Sequence, residues 1–392
     1  MKLFHTADWH LGKLVQGVYM TDDQRCVLEQ FVQAVAEEKP DAIIIAGDLY
    51  DRAIPPTEAV ELLDELLRKL VIECETPVLA ISGNHDSPDR LDFGTRLMES
   101  RGLHLAGRLR AGLKPVVLHD EHGPVHVYLV PYADPAQVRI TLDDETIRSH
   151  DDAMRAIVAR IEADADPNAR RIFVGHAFVT PGGEPQPNTS ESERPLAIGG
   201  AEHVSAGHFK SFHYTALGHL HQAHHVGDER IRYAGSPLKY SISEENHRKG
   251  WLVVELDDAG NASVEKREIK PLRDMRRVSA SIEEIETEHK TSDDYVFVTL
   301  QNDNPVLFPM EKVRAVYPNA LHVERRVRSL QIDDSVDGDN EENRAGSRRD
   351  ADPVDLFASF YREVKGMPLE DEKRKLFAET FMDVMKKEGD AV

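Results

Sequence analysis

The sequence predicts an α/β fold in which two sheets pack on each other and helices lie outside both. Strand-like and helix-like segments alternate over the first third of the 392-residue chain, and strand-like segments dominate the part that follows. Alternation of strand and helix implies parallel pairing with right-handed crossovers. The length also allows two or three domains, with a core that needs no disulfide or metal in order to fold.

The first third contains three short apolar strands separated by two amphipathic helices. The strands are predicted over Lys2–Thr6, Asp41–Ala46 and Pro77–Ser82. The first helix has a capping-box-like start at Thr21, the second follows a Pro-Pro pair, and both carry apolar residues at helical spacing. This order predicts a parallel sheet with its helices on one face.

The next part is richer in strands and predicts a second sheet packed on the first. The strand-like runs are Val116–Leu118, Val125–Val130, Ile172–Val174, Tyr214–Leu217, Ile231–Tyr233 and Trp251–Leu256. One long helix is predicted at about Asp143–Ala165. Residues 181–195 are rich in Pro, Gly and Ser and are predicted to be a surface loop.

The composition changes after Pro271, which divides the chain into four predicted segments. Residues 1–270 form the main domain, 271–332 a small α/β domain, 333–352 an acidic linker and 353–392 two amphipathic helices. The linker has eight acidic and three basic residues, which predicts a flexible segment. Helices of about 12 residues are marginal alone, so the terminal pair needs a surface to pack on. A separate partner is favoured over the body of the chain itself.

Charge and cysteine content limit the possible partners. With 48 Lys+Arg against 70 Asp+Glu, the net charge of −22 excludes wrapping of nucleic acid by a global positive field. A DNA contact would need bound metal or a local basic patch, such as Arg325, Arg326 and Arg328. Two cysteines without CxxC spacing exclude a disulfide framework and a zinc knuckle. The N-terminus has no signal-like segment and no run of 18 apolar residues occurs, so we expect a cytoplasmic protein.

Five short polar motifs each follow an apolar strand. They are Asp8-Trp9-His10, Gly47-Asp48, Gly83-Asn84-His85-Asp86, Gly175-His176 and Gly218-His219-Leu220-His221. Ligands bind at the carboxyl ends of strands in layered α/β folds, so we expect the five motifs to meet at one place. Each motif alone is a weak signal, whereas all five in this order form a strong one.

The residue types suit a pair of divalent metal ions. Asp8 and His10 are two residues apart in an extended segment and so face the same way, and His219 and His221 repeat that spacing. Carboxylate, imidazole and one amide oxygen favour Mn²⁺, Fe²⁺ or Zn²⁺ over Ca²⁺ or Mg²⁺. Asp48 is placed to bridge two ions, and two metals about 3.5–4 Å apart can clamp a phosphate and activate water. The sequence therefore predicts phosphoester hydrolysis.

The order of the motifs resembles that of the calcineurin-like metallophosphoesterases. Further segments resemble the SbcD family of bacterial nuclease subunits, which has archaeal and eukaryotic counterparts: HTADWHLG from His5, GDLYD from Gly47, GNHDSP from Gly83 and GSPL from Gly235. The resemblance rests on specific motifs over about residues 1–270. Beyond them it rests only on the order of domains, a small domain followed by C-terminal helices. The resemblance implies a calcineurin-like two-sheet sandwich flanked by helices, a small α/β capping domain and C-terminal helices.

The resemblance also implies a role for each motif residue. One metal would be held by Asp8, His10, Asp48 and His221, and the second by Asp48, Asn84, His176 and His219. His85 would face the scissile phosphate and protonate the leaving oxygen or stabilise its charge. Asp51 stands where archaeal and eukaryotic relatives place a second histidine, so its expected role is to orient His85 or a metal ligand.

By the same resemblance we expect a Mn²⁺-dependent DNA nuclease of DNA repair and recombination, acting in the cytoplasm at the nucleoid. It would be a 3′ to 5′ exonuclease on duplex ends and an endonuclease on single strands and hairpins. Its partner would be SbcC, an ABC-type ATPase with a long coiled coil, bound by residues 353–392 in a heterotetramer with two copies of each subunit. Helices around Thr57–Leu70 and Asp89–Ser100 would supply the homodimer interface.

Two other functions stay open at this point. One is a general metallophosphodiesterase or phosphatase acting on a small molecule or a phosphoprotein through the same metal site. Against it stand the roughly 120 residues after the main domain, which a small substrate does not require. The other is a non-catalytic subunit that tethers DNA ends, and the intact set of metal-type residues speaks against it.

Overall fold

The computed structural model describes residues 1–184, 190–193, 196, 202–288, 290–325 and 353–389. In the first half of the chain the strands are β1 (Lys2–Thr6), β2 (Leu14–Val15), β3 (Val18–Tyr19), β4 (Ala42–Ala46), β5 (Val78–Ile81), β6 (Leu103–Ala106), β7 (Val116–Asp120), β8 (Gly123–Val130), β9 (Arg170–His176) and β10 (Phe178–Thr180). They continue as β11 (His203–Ser205), β12 (Tyr214–Gly218), β13 (His224–Val226), β14 (Asp228–Tyr233), β15 (Gly250–Leu256), β16 (Ala262–Glu268), β17 (Met275–Ala280), β18 (Tyr295–Leu300) and β19 (Ala320–Arg325).

The helices lie between these strands and after them. They are α1 (Thr21–Glu38), α2 (Thr57–Arg68), α3 (Pro88–Leu91), α4 (Thr95–Met98), α5 (Pro135–Leu142), α6 (His150–Asp164), α7 (Ile282–Glu288), α8 (Pro309–Val316), α9 (Pro353–Lys365) and α10 (Asp371–Gly389). A π-helical turn, Lys69–Glu73, continues α2. None of the helices among the described residues is long and apolar enough to cross a membrane.

Two six-stranded sheets form the main body, which confirms the predicted two-sheet α/β fold. The strand predicted at Trp251–Leu256 is wrongly assigned to the second sheet, because it pairs with β1 in the first. The first sheet has the order β16-β15-β1-β4-β5-β6, with β1, β4, β5 and β6 parallel. The second has the order β13-β14-β12-β9-β8-β7, with β8, β9, β12 and β14 parallel. Parallel strands end at the same edge of a sheet, so the loops after β1, β4 and β5 lie together, as do those after β9 and β12.

Strand β4 shows why its sequence is a continuous apolar run. Ile44 lies in the core between the two sheets, together with Leu79 and Val174. Its neighbours Ile43 and Ile45 face the other way, into the core under α1 and α2. Burial on both faces removes the alternation that a half-exposed strand would show.

The helix predicted at about Asp143–Ala165 is confirmed over α6, but it begins at His150 rather than at Asp143, and α5 before it has no counterpart in the prediction. The chain forms α5 and then α6, because Asp143 adopts a left-handed conformation with φ of 55° and ends the first helix. Ser149 then begins the second helix with a capping box that includes Asp152.

A separate three-stranded sheet, β17-β18-β19, is parallel throughout and carries α7 and α8. Arg325 at its last strand donates hydrogen bonds to the backbone carbonyls of Asn302 and Asp303. The rest of the predicted basic patch, Arg326 and Arg328, lies outside the described residues, and so does the predicted linker at 333–352. Helices α9 and α10 pack on each other through the stacked rings of Phe357 and Phe377, with 3.9 Å between centroids.

Candidate metal centre

The five polar motifs meet where the carboxyl edges of the two sheets come together. Glycines at three of the strand ends allow this approach, because a Cβ atom on Gly47, Gly83 or Gly218 would collide with atoms at a neighbouring strand end. At Gly47 it would lie 2.4 Å from Nδ1 of His176, and at Gly83 it would lie 2.1 Å from Oδ1 of Asp48. At Gly218 it would lie 1.9 Å from the carbonyl oxygen of Ala46. The glycines before Asp48, Asn84 and His219 are therefore a requirement of close packing at this edge.

One cluster of donors consists of Asp8, Asp48 and His176, and all three are buried. Nε2 of His176 lies 3.4 Å from Oδ2 of Asp48 and 2.9 Å from Oδ1 of Asn84. The ring of His219 packs edge-on against His176, with 5.4 Å between centroids. Loops from both sheets thus bring oxygen and nitrogen donors to one point.

A second cluster adjoins the first and consists of His10, Asp51 and His85. His10 connects the two clusters, since its Nε2 lies 3.6 Å from Oδ2 of Asp48. The same nitrogen lies 3.1 Å from Nε2 of His221. All nine residues that the sequence singled out for this site therefore lie in one group of contacts.

Several of these residues have backbone conformations that are unusual for side chains with a Cβ atom. The φ angle is 55° at Asp8, 46° at His10, 51° at Asp48 and 107° at His219, so the extended backbone predicted for Asp8–His10 and repeated at His219 is wrong. Such conformations cost about 1–3 kcal/mol each and persist only where the surrounding structure enforces them. Four of them at the donors of one site are a sign of function rather than of folding.

The directions of the imidazole rings fit a bound cation. Nδ1–H of His176 donates to the carbonyl of Ala46 at 2.9 Å, which leaves the lone pair of Nε2 facing the oxygens of Asp48 and Asn84. Nε2 of His219 is buried without a hydrogen-bond partner among the described residues. Converging lone pairs and an unpaired buried nitrogen are unfavourable unless a positive charge lies between them. Carboxylate, imidazole and amide donors together suit a divalent transition metal ion.

The electrostatics of the site also indicate that a positive charge belongs between these donors. Burial lowers the pKa values of His10 and His219 well below their ordinary value, so both rings are neutral and their lone pairs are available. Burial opposes a charge on His176 as well, but the carboxylates of Asp48 and Asp8 raise its pKa to about 9. The carboxylates around His176 therefore stabilise one positive charge at this point. A bound metal cation would supply that charge in place of the proton.

His85 is half-buried and is oriented by the backbone. Its Nδ1–H donates to the carbonyl oxygen of Asp51 at 2.8 Å, and its own N–H donates to Oδ1 of Asp48 at 2.9 Å. The carboxylate of Asp51 points elsewhere, 2.8 Å from Nζ of Lys13 and 3.7 Å from Nδ1 of His10. The contact between Asp51 and His85 is thus made by the main chain, and the ring presents Nε2 to the site.

Sequence reasoning missed the residues that hold His221. Among them is Glu193, which is buried although the segment 181–195 is predicted to be a surface loop. Nδ1–H of His221 donates to Oε1 of Glu244 at 3.0 Å, and its backbone N–H donates to Oε1 of Glu193 at 2.7 Å. Glu244 is fully buried and forms a 2.6 Å ion pair with Lys249, which also donates to the carbonyl of His221 at 2.9 Å. Burial of the Lys249 ammonium group beside Glu244 keeps it away from solvent. A carboxylate behind a histidine fixes the tautomer of a metal ligand.

Removing both members of this buried pair is expected to destabilise the protein by less than the two single removals added together. Glu244→Leu leaves the Lys249 ammonium buried without its counter-charge, which typically costs about 3–5 kcal/mol. Glu244→Leu with Lys249→Met should cost clearly less than the sum of the single variants, as measured by urea unfolding. The matched control is Glu268→Ala, which breaks a 3.3 Å ion pair with the exposed Arg248 and should change stability little. Additive effects of the two buried changes would contradict this account.

Comparison with known protein families identifies the family to which the main body belongs. A family model described as calcineurin-like phosphoesterase matches residues 1–212 of the 392, so the chain belongs to that family. A member of this family hydrolyses phosphoesters with divalent metal ions, and the two donor clusters supply groups for them. A second model, SbcD_C, described as a type 5 capsule protein repressor C-terminal domain, matches residues 271–365.

Solved structures with partial likeness to the chain include three from different organisms. TT1561 of Thermus thermophilus is 14% identical, with a TM-score of 0.37, over 68% of this chain and 98% of that one. A dimetal phosphatase from Danio rerio is 13% identical, with a TM-score of 0.39, over 69% and 98%. GAP50, the anchor in the inner membrane complex of Plasmodium, is 12% identical, with a TM-score of 0.38, over 69% and 89%.

Proposed function

We propose that the chain is a metal-dependent DNA nuclease subunit of the SbcD type, which hydrolyses phosphodiesters with two divalent metal ions. The observation that carries the proposal is the combination of one converging donor site with the SbcD_C match over residues 271–365. The site supports phosphoester hydrolysis, and the second match supports DNA as the substrate. Mn²⁺ is the ion we propose, because the donors mix carboxylate oxygens with imidazole nitrogens.

The proposed ligands divide into two sets that share Asp48. The first is Asp8, His10, Asp48 and His221, and the second is Asp48, Asn84, His176 and His219. When bound there, the ions would neutralise phosphate charge and make water a stronger nucleophile. The chain's own contribution is to fix these donors before substrate arrives: Glu244 orients His221, and the Ala46 carbonyl orients His176.

His85 is the proposed acid or electrostatic group at the leaving oxygen. Water attack forms one P–O bond as the P–O bond to the leaving sugar oxygen breaks, and that oxygen needs a proton or a stabilised charge. The Asp51 carbonyl holds the Nδ1–H of His85, so Nε2 is the nitrogen available to the phosphate. His85 is also more accessible than the proposed ligands His10 and His176, which supports contact with substrate.

The proposal is tested by offering the Mn²⁺-loaded protein DNA and a small phosphodiester in the same experiment. A nuclease should cleave end-labelled duplex DNA, and unlabelled DNA should inhibit its hydrolysis of bis-(p-nitrophenyl) phosphate competitively. Hydrolysis of the small diester without DNA cleavage and without competition would favour a general phosphodiesterase. DNA binding without any hydrolysis would favour a tethering subunit.

We further propose that residues 353–392 bind SbcC. The two helices expose apolar side chains although their rings stack on each other, with Leu356 52%, Phe360 58% and Leu376 65% exposed. A coiled coil with an apolar seam is a suitable partner for such a surface. A homodimer is proposed through the segment after β5, where Phe93 and Leu97 are 85% and 82% exposed.

Deleting residues 353–392 is expected to abolish binding of SbcC while hydrolysis of bis-(p-nitrophenyl) phosphate is retained, because the metal centre lies in the two-sheet body. A point variant, Leu356→Glu with Phe360→Glu, should weaken the same binding. Lys375→Glu on exposed α10 surface is the matched control for added negative charge. Pull-down of SbcC by the truncated chain at wild-type level would contradict the assignment.

A further inference from the structure

We infer that the small domain formed by β17–β19, when docked, helps to hold one metal site and not the other. The inference rests on the proposed function, since it takes His10 and His221 as ligands of the same ion. It arises from three pairs of adjacent residues in the main body. In each pair, one member contacts the small domain and the other contacts the surroundings of His10 or His221.

The first pair is Asp23 and Gln24 on α1. The buried carboxylate of Asp23 accepts from Nη1 of Arg273 at 2.6 Å and from the hydroxyl of Tyr295 at 2.8 Å, both on the small-domain side. Gln24 points the opposite way, and its Nε2 donates to the carbonyl oxygen of His10 at 2.7 Å. The peptide between them therefore connects the docking contact to the backbone that carries His10.

The second pair is Glu244 and Glu245. The carboxylate of Glu245 accepts from the backbone N–H of Arg277 at 3.2 Å and from its Nε at 3.0 Å. Its neighbour Glu244 accepts from Nδ1–H of His221 at 3.0 Å. Here the docking contact is one residue away from the carboxylate that orients the second ligand.

The third pair, Lys239 and Tyr240, lies between the other two. Nζ of Lys239 forms a 2.8 Å ion pair with Asp274 at the start of the small domain. The ring of Tyr240 packs edge-on against both His10 and His221, at 5.6 Å and 5.9 Å between centroids. Its hydroxyl group also accepts from Nε2 of Gln24 at 3.0 Å, which joins this pair to the first.

The remaining ligands are held by the main body alone. His176 is oriented by the carbonyl of Ala46, and the backbone N–H of His219 donates to both carboxylate oxygens of Asp8, at 2.9 Å and 3.1 Å. None of these contacts involves residues 271–325. Loosening the docked domain should therefore weaken the ion at His10 and His221, while the ion at His176 and His219 is retained.

The test is Mn²⁺ binding to the metal-free, full-length protein, measured by isothermal titration calorimetry. Wild-type protein should bind two ions. The double variant Arg273→Gln, Arg277→Gln, which removes the guanidinium contacts to Asp23 and Glu245, should bind one of them about tenfold more weakly, a typical coupling between sites. The conservative variant Arg273→Lys, Arg277→Lys should restore part of the affinity.

Arg276→Gln is the matched control, because Arg276 pairs at 2.9 Å with Asp294 inside the small domain and does not contact the main body through that pair. It should bind both ions like wild type. Unchanged binding of both ions in the double variant, or equal weakening of both, overturns the inference and leaves the proposed function intact. A wild-type protein that binds no Mn²⁺ would overturn the proposed function, and this inference with it.

A second measurement needs no substitution. Coupling is reciprocal, so Mn²⁺ should tighten the docking contacts as much as these contacts tighten the ion. Hydrogen exchange of the wild-type protein should slow on Mn²⁺ addition at residues 271–277, and more than at helix α8, which lies within the same domain. Equal slowing at both places, or none, would contradict the coupling.

Discussion

Replacing Asp48 with alanine is expected to reduce phosphodiester hydrolysis by more than about 10³-fold, since loss of one electrostatic group in an active site already costs about 10²–10³. The physical reason is its central position. Its carboxylate lies 3.4 Å from Nε2 of His176 and 3.6 Å from Nε2 of His10, and thus touches both proposed sites. It also accepts the backbone N–H of His85. Loss of this one carboxylate should affect both ions and the position of His85 together.

The measurement pairs hydrolysis of bis-(p-nitrophenyl) phosphate with the metal content of the purified protein after loading with Mn²⁺. Asp48→Ala should retain less metal than wild type. Asp48→Asn, which keeps the shape but removes the charge, should show a similar loss. Asp64→Ala, at an exposed position on α2, is the control and should change neither quantity. Full activity in Asp48→Ala would show that the chemistry lies elsewhere.

Replacing His85 with alanine is expected to leave both metal ions bound and to slow DNA cleavage by about 10²–10⁴-fold, the usual contribution of a positioned acid or base. The ring is held by the Asp51 carbonyl and is not among the proposed ligands, so its loss should spare metal content. The effect should depend on the leaving group. The p-nitrophenolate ion leaves without a proton, so hydrolysis of bis-(p-nitrophenyl) phosphate should fall far less than DNA cleavage.

The comparison of the two substrates distinguishes the two roles of His85. Equal losses on both would indicate stabilisation of charge on the phosphate rather than proton donation. Replacement of the exposed His119 on β7 is the matched control and should have no effect on either substrate. Wild-type DNA cleavage by His85→Ala would remove His85 from the mechanism. Asp51→Asn should have a small effect on His85, because its orienting contact comes from the main chain.

The position of the site could be predicted because its residues stand in short motifs that can be recognised from the local sequence. Each motif follows an apolar strand, and parallel strands deliver their carboxyl ends to one edge, so Asp8, Asp48 and His176 converge by topology. Asp86, at the end of one of these motifs, caps its loop: its carboxylate accepts from the backbone N–H groups of Leu49 and Gly83.

The supporting residues could not be predicted because they depend on tertiary contacts. Glu244 and Lys249 stand in a polar stretch that is typical of a surface turn, and only the packing of that turn under His221 buries them. Gln24 lies on an amphipathic helix, where a polar residue is ordinarily solvated. The predicted helix begins too early for a similar reason, since Asp143 carries no signal of the left-handed conformation that it adopts directly before the non-helical residues 144–149.

The most direct test of the central claim is cleavage of 3′-labelled duplex and hairpin DNA by the purified chain, with and without Mn²⁺, alongside Asp48→Ala. Added SbcC and ATP form a further arm. The account predicts that the wild-type chain cleaves DNA only when Mn²⁺ is present. It also predicts that Asp48→Ala does not cleave DNA, whether or not SbcC and ATP are added. DNA that stays intact in every arm, while bis-(p-nitrophenyl) phosphate is hydrolysed at the same metal centre, would contradict it.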